Sequence, residues 1–546
     1  MLSKFFLKYY RIGFSPVNKM NFPSLTWPFG CDILRLWSRP MKKKEIDRRT
    51  FLKIAALGTA AYGIPGCRKP APAKNPNILF VFDDQLRADV CGVYGGRNIT
   101  TPHIDRLANQ GATFTNSISS CPLCTPYRGM LQTGRYPTHS GILMNFVEAS
   151  QIQNPHCMAN IFGAAGYDTG FIGKWHLSSG WRREEGLYEP NEAAVKAYRE
   201  KNPETEYVAP GPGRLGYKHW QAFNFHVAFN DYYYYEDEPK RLYSGRYETD
   251  TQIDHAITYM EHHKDSDNPF LLFVAPHPPH PPFSPDFIPE GYLEKVPEKI
   301  HWSPNVPEDN PRKLVDMRYY LAMAKNMDDN LGRLMDYLET SGLDKDTILV
   351  FTADHGEMHG SHGRLNKMVP YAEAMKIPLI IRWPNHIRAG IRIDPLHTSI
   401  DHLPTLCGLT GINIPREADG TDLSRVILEK EKDSREEVLI GSYTSHWDFF
   451  QTGTLWPEWR GVRTKQCTYC KWLTGEEELY DNNQDPFQMN NLASGTAELP
   501  VLKRMRSRLK DFLAAAHDDF LPGPAYGEWY DERRNLIRTG LGPVSG

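Results

Sequence analysis

The chain is poor in cysteine, with nine in 546 residues. That density excludes a disulfide-stapled scaffold, and the odd count leaves at least one cysteine unpaired within the monomer or chemically modified. Charge of one sign is also lacking. There are 63 Lys plus Arg against 66 Asp plus Glu, a net −3, so nothing argues for nucleic acid as a partner. No internal repeat or low-complexity tract interrupts the sequence. The apolar run from Ile54 to Ile64 is too short for a comfortable transmembrane helix. What is present is 40% hydrophobic and 12% aromatic residues, enough for one large domain with a full core plus a smaller one.

One stretch organises the rest: Cys121-Pro-Leu-Cys124-Thr-Pro126-Tyr-Arg128-Gly-Met-Leu-Gln-Thr133-Gly134-Arg135. It predicts a helix with a sulfur nucleophile, or its derivative, at its mouth. Free backbone N–H groups and the positive dipole end there favour an anion. Pro126 is tolerated in the first turn, and Arg128, one turn on, can reach back toward a negative group beside Cys124. A competing reading makes Cys121 and Cys124 one half of a zinc or redox site, with Cys467 and Cys470 as the other.

Around this stretch a strand grammar recurs. Asn77 to Phe82 is a continuous apolar run followed at once by Asp83-Asp84-Gln85. Tyr167 to Gly173 leads into Lys174-Trp-His176, and Phe270 to Ala275 into Pro276-His277-Pro-Pro-His280. Thr347 to Ala353 leads into Asp354-His355-Gly356, and Ile377 to Arg382 ends at Trp383-Pro384. Such runs predict strands buried on both faces, as in a parallel sheet. In four of the five, charged or imidazole residues follow the strand's C-terminal end, the edge where open α/β sheets bind ligands. Helices are predicted at 102–110, 158–165, 249–262 and 316–340, the last stopped by Gly342. After about residue 440 come short strand-like runs joined by turns, then a helix over 499–515 and a Gly- and Pro-rich tail that should wrap the surface.

The Cys124-x-Pro126-x-Arg128 core with its downstream Thr133-Gly134-Arg135 resembles the active-site signature of the type I sulfatases of the alkaline phosphatase superfamily. The phrase Leu479-Tyr-Asp481, Asp485-Pro486 and Asn491-Leu492 resembles their small C-terminal domain. The resemblance implies an α/β fold with a large, mostly parallel central sheet flanked by helices, plus a small C-terminal antiparallel sheet with a helix. The expected boundaries are a catalytic domain at 77–440, a small subdomain at 441–525 and a tail at 526–546.

It also implies a sulfuric ester hydrolase in which Cys124 is oxidised to formylglycine (3-oxoalanine) by a formylglycine-generating or anaerobic sulfatase-maturating enzyme. Of the two hydroxyls of the hydrated aldehyde, one attacks sulfur, and the other loses its proton so that sulfate is expelled. An unmodified Ser or Cys has no such exit. Asp83, Asp84, Asp354 and His355, with the modified Cys124, would hold a divalent ion, Ca²⁺ or alternatively Mg²⁺, the oxygens suiting a hard cation. His355 stands where the family more often has Asn. Arg128 and Lys174 resemble the cations that steady the hydrate and sulfate oxygens, and His176 the histidine that takes the hydrate's proton. His277 resembles the histidine at the leaving-group oxygen and Lys367 the lysine bridging sulfate and leaving group, either able to serve as general acid.

His280, His226, Asn230, Asp231, the Tyr232 to Tyr235 run, Trp220 and Trp447 are candidates to face the substrate, expected to be a sulfated carbohydrate. For the tyrosines, an aromatic surface strand or loop is the other reading.

Residues 1–40 form a basic, aromatic prefix ahead of a second methionine, Met41, where translation is expected to start. Residues 41–67 carry a basic stretch, the twin Arg48-Arg49, the short apolar run and Pro65-Gly66-Cys67. This resembles a twin-arginine export signal with a lipoprotein-like end, so the protein is expected to be exported, either periplasmic or anchored by a lipid at Cys67. Residues 68–76 read as a linker. Two further readings stay open at this stage. One is a phosphonate or phosphodiester hydrolase of the same superfamily. The other is a non-catalytic lipoprotein that binds sulfated glycans.

Overall fold

The structure is a computed structural model that describes residues 75–149, 152, 156–179, 206–310, 313–432, 435–443, 458–495, 499–531 and 535–544. The expected prefix, export signal and nearly all of the linker lie outside the described residues, as does Trp447. Among the described residues, no helix is long and apolar enough to cross a membrane.

Eight strands build the main sheet: β1 (Asn77–Asp83), β2 (Ala112–Phe114), β3 (Asp168–Lys174), β4 (His219–Phe223), β5 (Phe270–Ala275), β6 (Thr347–Ala353), β7 (Leu379–Arg382) and β8 (Ile391–Ile393). Their order across the sheet is β8-β2-β7-β6-β1-β5-β3-β4. All pairings are parallel except the two made by β7, which runs against β6 and β2. That reversal explains why the run ending at Trp383 carries no chemistry past its last residue: its C-terminal end lies at the opposite edge from the others.

The central strands are apolar on both faces because both are covered. Every residue of β1, β5 and β6 is buried, and Phe80 stacks on its cross-strand partner Phe273 with ring centroids 4.6 Å apart. Each such side chain contributes about 1.5–3 kcal/mol of transfer free energy. The main helices are α1 (Pro102–Gln110), α2 (Cys124–Thr133), α3 (Met158–Ala164), α4 (Glu248–His263), α5 (Lys313–Ser341), α6 (His402–Thr410) and α7 (Pro500–Ala515). Asp328 of α5 caps α1 from outside, its Oδ1 accepting from the amides of His103 at 3.0 Å and Ile104 at 2.9 Å.

The C-terminal sheet holds β9 (Glu437–Ser442), β10 (Trp459–Thr464), β11 (Cys467–Trp472) and β12 (Glu477–Asp481), antiparallel and in sequence order. One face packs Ile440, Trp459 and Cys470 against Met358, Val369 and Met375 of the main domain. The other packs Val462, Tyr469 and Leu479 against Leu502, Met505 and Leu509 of α7. Cys467 and Cys470 lie three apart on β11, so their side chains point to opposite faces. That geometry rules out a shared metal site for this pair.

The tail does more than wrap the surface. Tyr526 and Trp529 are buried with Cys121, Met130 and Leu143 beneath α2. Leu536 packs on Gly141, where the backbone is left-handed at φ 75° and a Cβ would meet Leu536 Cδ1 at 2.4 Å. The backbone N–H of Gly540 donates to the Thr138 carbonyl at 2.8 Å.

Candidate active site

Parallel packing brings the ends of β1, β3, β5 and β6 to one edge of the sheet, and with them the residues that follow each strand. The ends are tied through backbone: Asp84 N–H donates to the Pro276 carbonyl at 3.2 Å and Asp354 N–H to the Asp83 carbonyl at 3.1 Å. Helix α2 enters beside them and starts at Cys124, with Leu123 before it extended and offering no side-chain cap. The Thr125 N–H is taken by Asn145 Oδ1 at 3.0 Å and its hydroxyl by the His176 carbonyl at 2.8 Å. At the far end, Thr133 Oγ1 donates to the Gly129 carbonyl at 2.7 Å. Gly134 closes the helix at φ 65°, its N–H on the Met130 carbonyl at 2.8 Å. The Thr-Gly half of the motif is therefore a helix stop.

Cys124 Sγ sits 3.2 Å from His355 Nε2, 3.7 Å from Asp84 Oδ1 and 3.8 Å from Lys174 Nζ. Burial and then Asp84 push its thiol up to about 12, against the pull of Lys174 and Lys367. At neutral pH the unmodified side chain is thus a neutral thiol, and its sulfur marks the place from which an oxidised side chain would project.

Arg128 is fully buried. Its Nη2 donates to Asp84 Oδ2 at 3.1 Å and Asp354 Oδ2 at 3.3 Å, and its Nη1 to the Lys174 carbonyl. Lys174 Nζ donates to the same Asp84 Oδ2 at 2.5 Å. Burial alone would raise the Asp84 carboxyl, but Lys174 first, then His280, Arg128 and His355, hold it well below the usual carboxylate range. Burial and the neighbouring Asp84 instead raise Asp354.

Asp84, Cys124, Asp354 and His355 present ligand atoms all within 4.8 Å of one another. His355 Nδ1 faces the Gly356 carbonyl at 3.0 Å, so it carries the proton and leaves the Nε2 lone pair turned to the cluster. Asp83 lies outside this compact group, yet both its oxygens are buried without a partner. Burial, then Asp354 and Asp84, raise its carboxyl. Orphaned buried carboxylate oxygens on Asp83, next to Asp84 and Asp354, fit a divalent cation, which would satisfy them. A second cluster, His103, Asp328 and Asp329, is already neutralised by Lys325, 2.7 Å from Asp328 and 2.8 Å from Asp329.

The remaining candidates line the same edge. His176 is buried between Phe146 and Phe225, both ring centroids 4.8 Å away, with neither ring nitrogen partnered. His277 Nδ1 donates to the His226 carbonyl at 2.7 Å, leaving Nε2 without a partner. Its ring centroid lies 4.5 Å from that of His280. Lys367 Nζ donates to Gln85 Oε1 at 2.6 Å and lies 3.3 Å from His280 Nε2. His280 therefore stands inside the site rather than only at its rim.

The other expected substrate contacts are either engaged within the protein or exposed. His226 is buried with Nε2 on the Tyr233 carbonyl at 2.8 Å and Nδ1 accepting from the Ala228 N–H at 3.2 Å. What it offers the site is its carbonyl. Trp220 is core, stacked on Phe171 with centroids 5.6 Å apart and on the guanidinium of Arg214 at 4.8 Å. Asn230 and Asp231 are exposed, Asn230 Nδ2 donating to the Asp286 carbonyl at 2.6 Å. Tyr232 and Tyr235 are buried with Phe223, so neither forms the exposed strand or loop allowed for them. Cys121 and Cys470 belong to separate apolar clusters, and no candidate metal group among the described residues includes Cys121, Cys467 or Cys470. The zinc reading is thereby overturned.

Sequence reasoning missed Gln85, Asn145, Glu248 and Glu357. Glu248, at the start of α4, accepts from the His277 N–H at 2.9 Å, and burial raises its carboxyl to about 8. Only Gln85 carried a signal, its place directly after Asp83-Asp84.

Comparisons with known proteins point to one family. The sulfatase family model matches residues 76–412, and the C-terminal model of N-sulphoglucosamine sulphohydrolase matches 360–515. An ulvan-active sulfatase of Formosa agariphila is 33% identical over 465 residues, 84% of each chain. An endo-4-O-sulfatase of Bacteroides thetaiotaomicron is 28% identical over 481 residues, 80% of this chain and 92% of that one. A solved structure from Bacteroides fragilis, described as a candidate sulfatase YidJ, superposes with a TM-score of 0.71 at 28% identity, covering 83% of this chain and 99% of that one. With Cys124 heading a buried helix among the carboxylates and cations of four strand ends, and with a family match across most of the described chain, this protein belongs to the sulfatases, the sulfuric ester hydrolases.

Proposed function

We propose that this sulfatase removes sulfate from a sulfated carbohydrate, with Cys124 matured to formylglycine and a calcium ion, or magnesium in its place, held by Asp83, Asp84, Asp354 and His355. The observation that carries the reading is the position of Cys124. It is buried at a helix N-terminus, beside Lys174, His355 and the carboxylate cluster. The matured side chain would supply an oxygen nucleophile and a route to release sulfate, and the cation would polarise the sulfate oxygens.

The chain's own residues do the rest. Arg128 and Lys174 hold Asp84 ionised and present positive charge to the sulfate. His176, whose ring nitrogens have no other partner, would take a proton from the nucleophile's oxygen. Lys367 would supply the proton that the departing oxygen needs, and His277, its own proton on Nδ1, lies in the same group of side chains through His280. The sugar preference is supported by the ulvan-active and endo-4-O-sulfatase relatives. Those relatives are sulfatases by name, which disfavours the phosphonate alternative.

On this reading residues 77–440 form the catalytic domain and 441–525 the small subdomain. The leader at 41–67, with Arg48-Arg49, directs export, and Cys67 carries a lipid or the mature protein is periplasmic. A maturase is the required partner before export. Intact-mass analysis of the tryptic peptide containing Cys124, from protein made with a maturing enzyme, should show thiol-to-aldehyde conversion. The same protein should release sulfate from sulfated sugars, and Cys124→Ala should not. An unconverted thiol in protein that still turns over sulfate would overturn the formylglycine assignment. Conversion without turnover of any sulfate ester would favour a glycan-binding role.

A further inference from the structure

Lys367 is delivered by an unusual piece of backbone. Between His359 and Met368, six residues have positive φ: His359 at 43°, Gly360 at 90°, His362 at 53°, Gly363 at 66°, Asn366 at 65° and Met368 at 72°. Four of them are not glycine, and such strained residues persist only where their surroundings impose the conformation. The imposing group is Glu357, which is buried. Its Oε1 accepts from the N–H groups of His359 at 3.1 Å and Asn366 at 2.6 Å, the two ends of the loop. Its Oε2 accepts from Gln85 Nε2. Gln85 Oε1 in turn accepts from Lys367 Nζ. Gln85 is itself held at φ 71°, its N–H bonded to Asp354 Oδ1 at 3.0 Å.

The chemistry of this chain has one solution in its orientation. An ammonium only donates and a carboxylate only accepts, so the residue between them must accept on one side and donate on the other. A primary amide does this. A carboxylate at position 85 would face Glu357 with like charge, a cation would face Lys367 with like charge, and an apolar residue would leave both buried charges short of a partner.

We propose that Gln85 and Glu357 are positioning residues for the sulfatase reaction: the Glu357–Gln85–Lys367 relay sets where the Lys367 ammonium stands relative to the leaving-group oxygen. The proposal rests on the reading of Lys367 as the lysine shared by sulfate and leaving group. It deepens that reading by naming what aims the lysine.

A charge-reversal swap tests it. In Gln85→Glu alone two carboxylates meet, and in Glu357→Gln alone two amide donors meet. In the double variant Gln85→Glu/Glu357→Gln, the amide introduced at position 357 still accepts from both loop N–H groups through its oxygen. Its nitrogen donates to the carboxylate introduced at position 85, and that carboxylate accepts from the Lys367 ammonium. Each contact of the relay is kept, with a donor facing an acceptor at every step.

The assay is steady-state hydrolysis of 4-nitrophenyl sulfate and phenyl sulfate by the matured, calcium-loaded full chain, beside Lys367→Ala. Each single variant should lower kcat on the order of 10–100-fold, the usual effect of losing a partner that orients a reacting group, with a smaller change in KM. The loss should be larger for phenyl sulfate, whose poorer leaving group depends more on the ammonium. The double variant should recover most of the kcat and the wild-type ratio between the two substrates. Equal losses on both substrates, or a double variant no better than the singles while Lys367→Ala remains strongly impaired, would overturn the relay. A Lys367→Ala variant as active as wild type would instead overturn the reading of Lys367 itself.

Discussion

Replacing Asp518 by Ala should destabilise the protein through a single buried charge. The side chains of Asp518 and Arg460 are both fully buried and form a two-pronged pair, Arg460 Nε on Oδ2 and Nη2 on Oδ1. Asp518 also accepts from the hydroxyls of Tyr443 and Tyr526, each at 2.9 Å, and from the Phe520 N–H at 2.9 Å. The guanidinium lies 3.6 Å from the Tyr443 ring centroid. Removing the carboxylate leaves that buried guanidinium with carbonyl and hydroxyl acceptors but without its paired charge, which costs about 3–5 kcal/mol. In a chain of this size the expected fall in Tm is about 3–5 °C.

Differential scanning calorimetry at neutral pH and fixed calcium reads the shift. The paired replacement Arg460→Met with Asp518→Leu should recover most of it, because two apolar groups of similar bulk leave no charge behind. The acid limb gives a second reading. Burial alone would raise the Asp518 carboxyl, but Arg460 holds it below its ordinary value. Its contribution is therefore complete above the unfolded carboxylate pKa, about 3.9, and is lost as pH falls through the lower folded value. Asp518→Ala should show a flatter decline of Tm in acid than wild type. A single variant within about 0.5 kcal/mol of wild type, or a double variant as unstable as the single, would refute the argument.

Other outcomes follow from the site. Asp83→Asn removes a carboxylate whose oxygens have no partner. It should raise Tm in chelator and shrink the Tm gain on adding calcium, and an unchanged gain would remove Asp83 from the cation site. Gly129→Ala places a Cβ 2.5 Å from Ile142 Cδ1 on the helix that carries Cys124. Overpacking of about 1–3 kcal/mol should appear in chemical denaturation and be relieved in part by Ile142→Val. Glu248, whose carboxyl burial raises to about 8, keeps its proton in the folded chain where the unfolded chain has lost it. Wild type therefore loses stability as pH rises from about 5 to 8, whereas Glu248→Gln does not titrate. The Tm of the variant relative to wild type should climb across that range, and parallel curves would contradict the buried, protonated carboxyl.

The strand runs and the helix at Cys124 were legible because their signals are local. An unbroken apolar run such as Ile78 to Phe82 can bury both faces only in a covered sheet. A Cys-x-Pro-x-Arg segment ending in Thr-Gly carries its own start and stop. The chemical residues were legible for a related reason: in parallel strands they follow the last apolar residue directly. The β7 run had the same local grammar with no chemistry after it, because its direction is set by its neighbours and not by its composition.

What each side chain faces was decided by partners that only the folded chain supplies, near or far in sequence. His226 has the residue type of a ligand-facing group, but its ring is used up by the backbone of Ala228 and Tyr233, and only its carbonyl reaches the site through His277. Trp220 sits on an edge strand, yet the aromatic stack around Phe171 draws it inward. The tail reads as solvent-exposed from its Gly and Pro content, and its few aromatics find a buried place under α2.

By itself, then, the sequence determined the helix that starts at Cys124, the strands and the residues at their ends, since helix caps, side-chain periodicity and apolar runs act over a few positions. Only the tertiary structure decided which of those residues share a partner, that Asp83 stands apart from the compact ligand group, and that Gln85 and Glu357, 272 positions apart, aim Lys367. Such pairings depend on how the sheet and loops pack, because a hydrogen bond in a buried site is set by geometry within about 3 Å, which no local pattern of residues encodes.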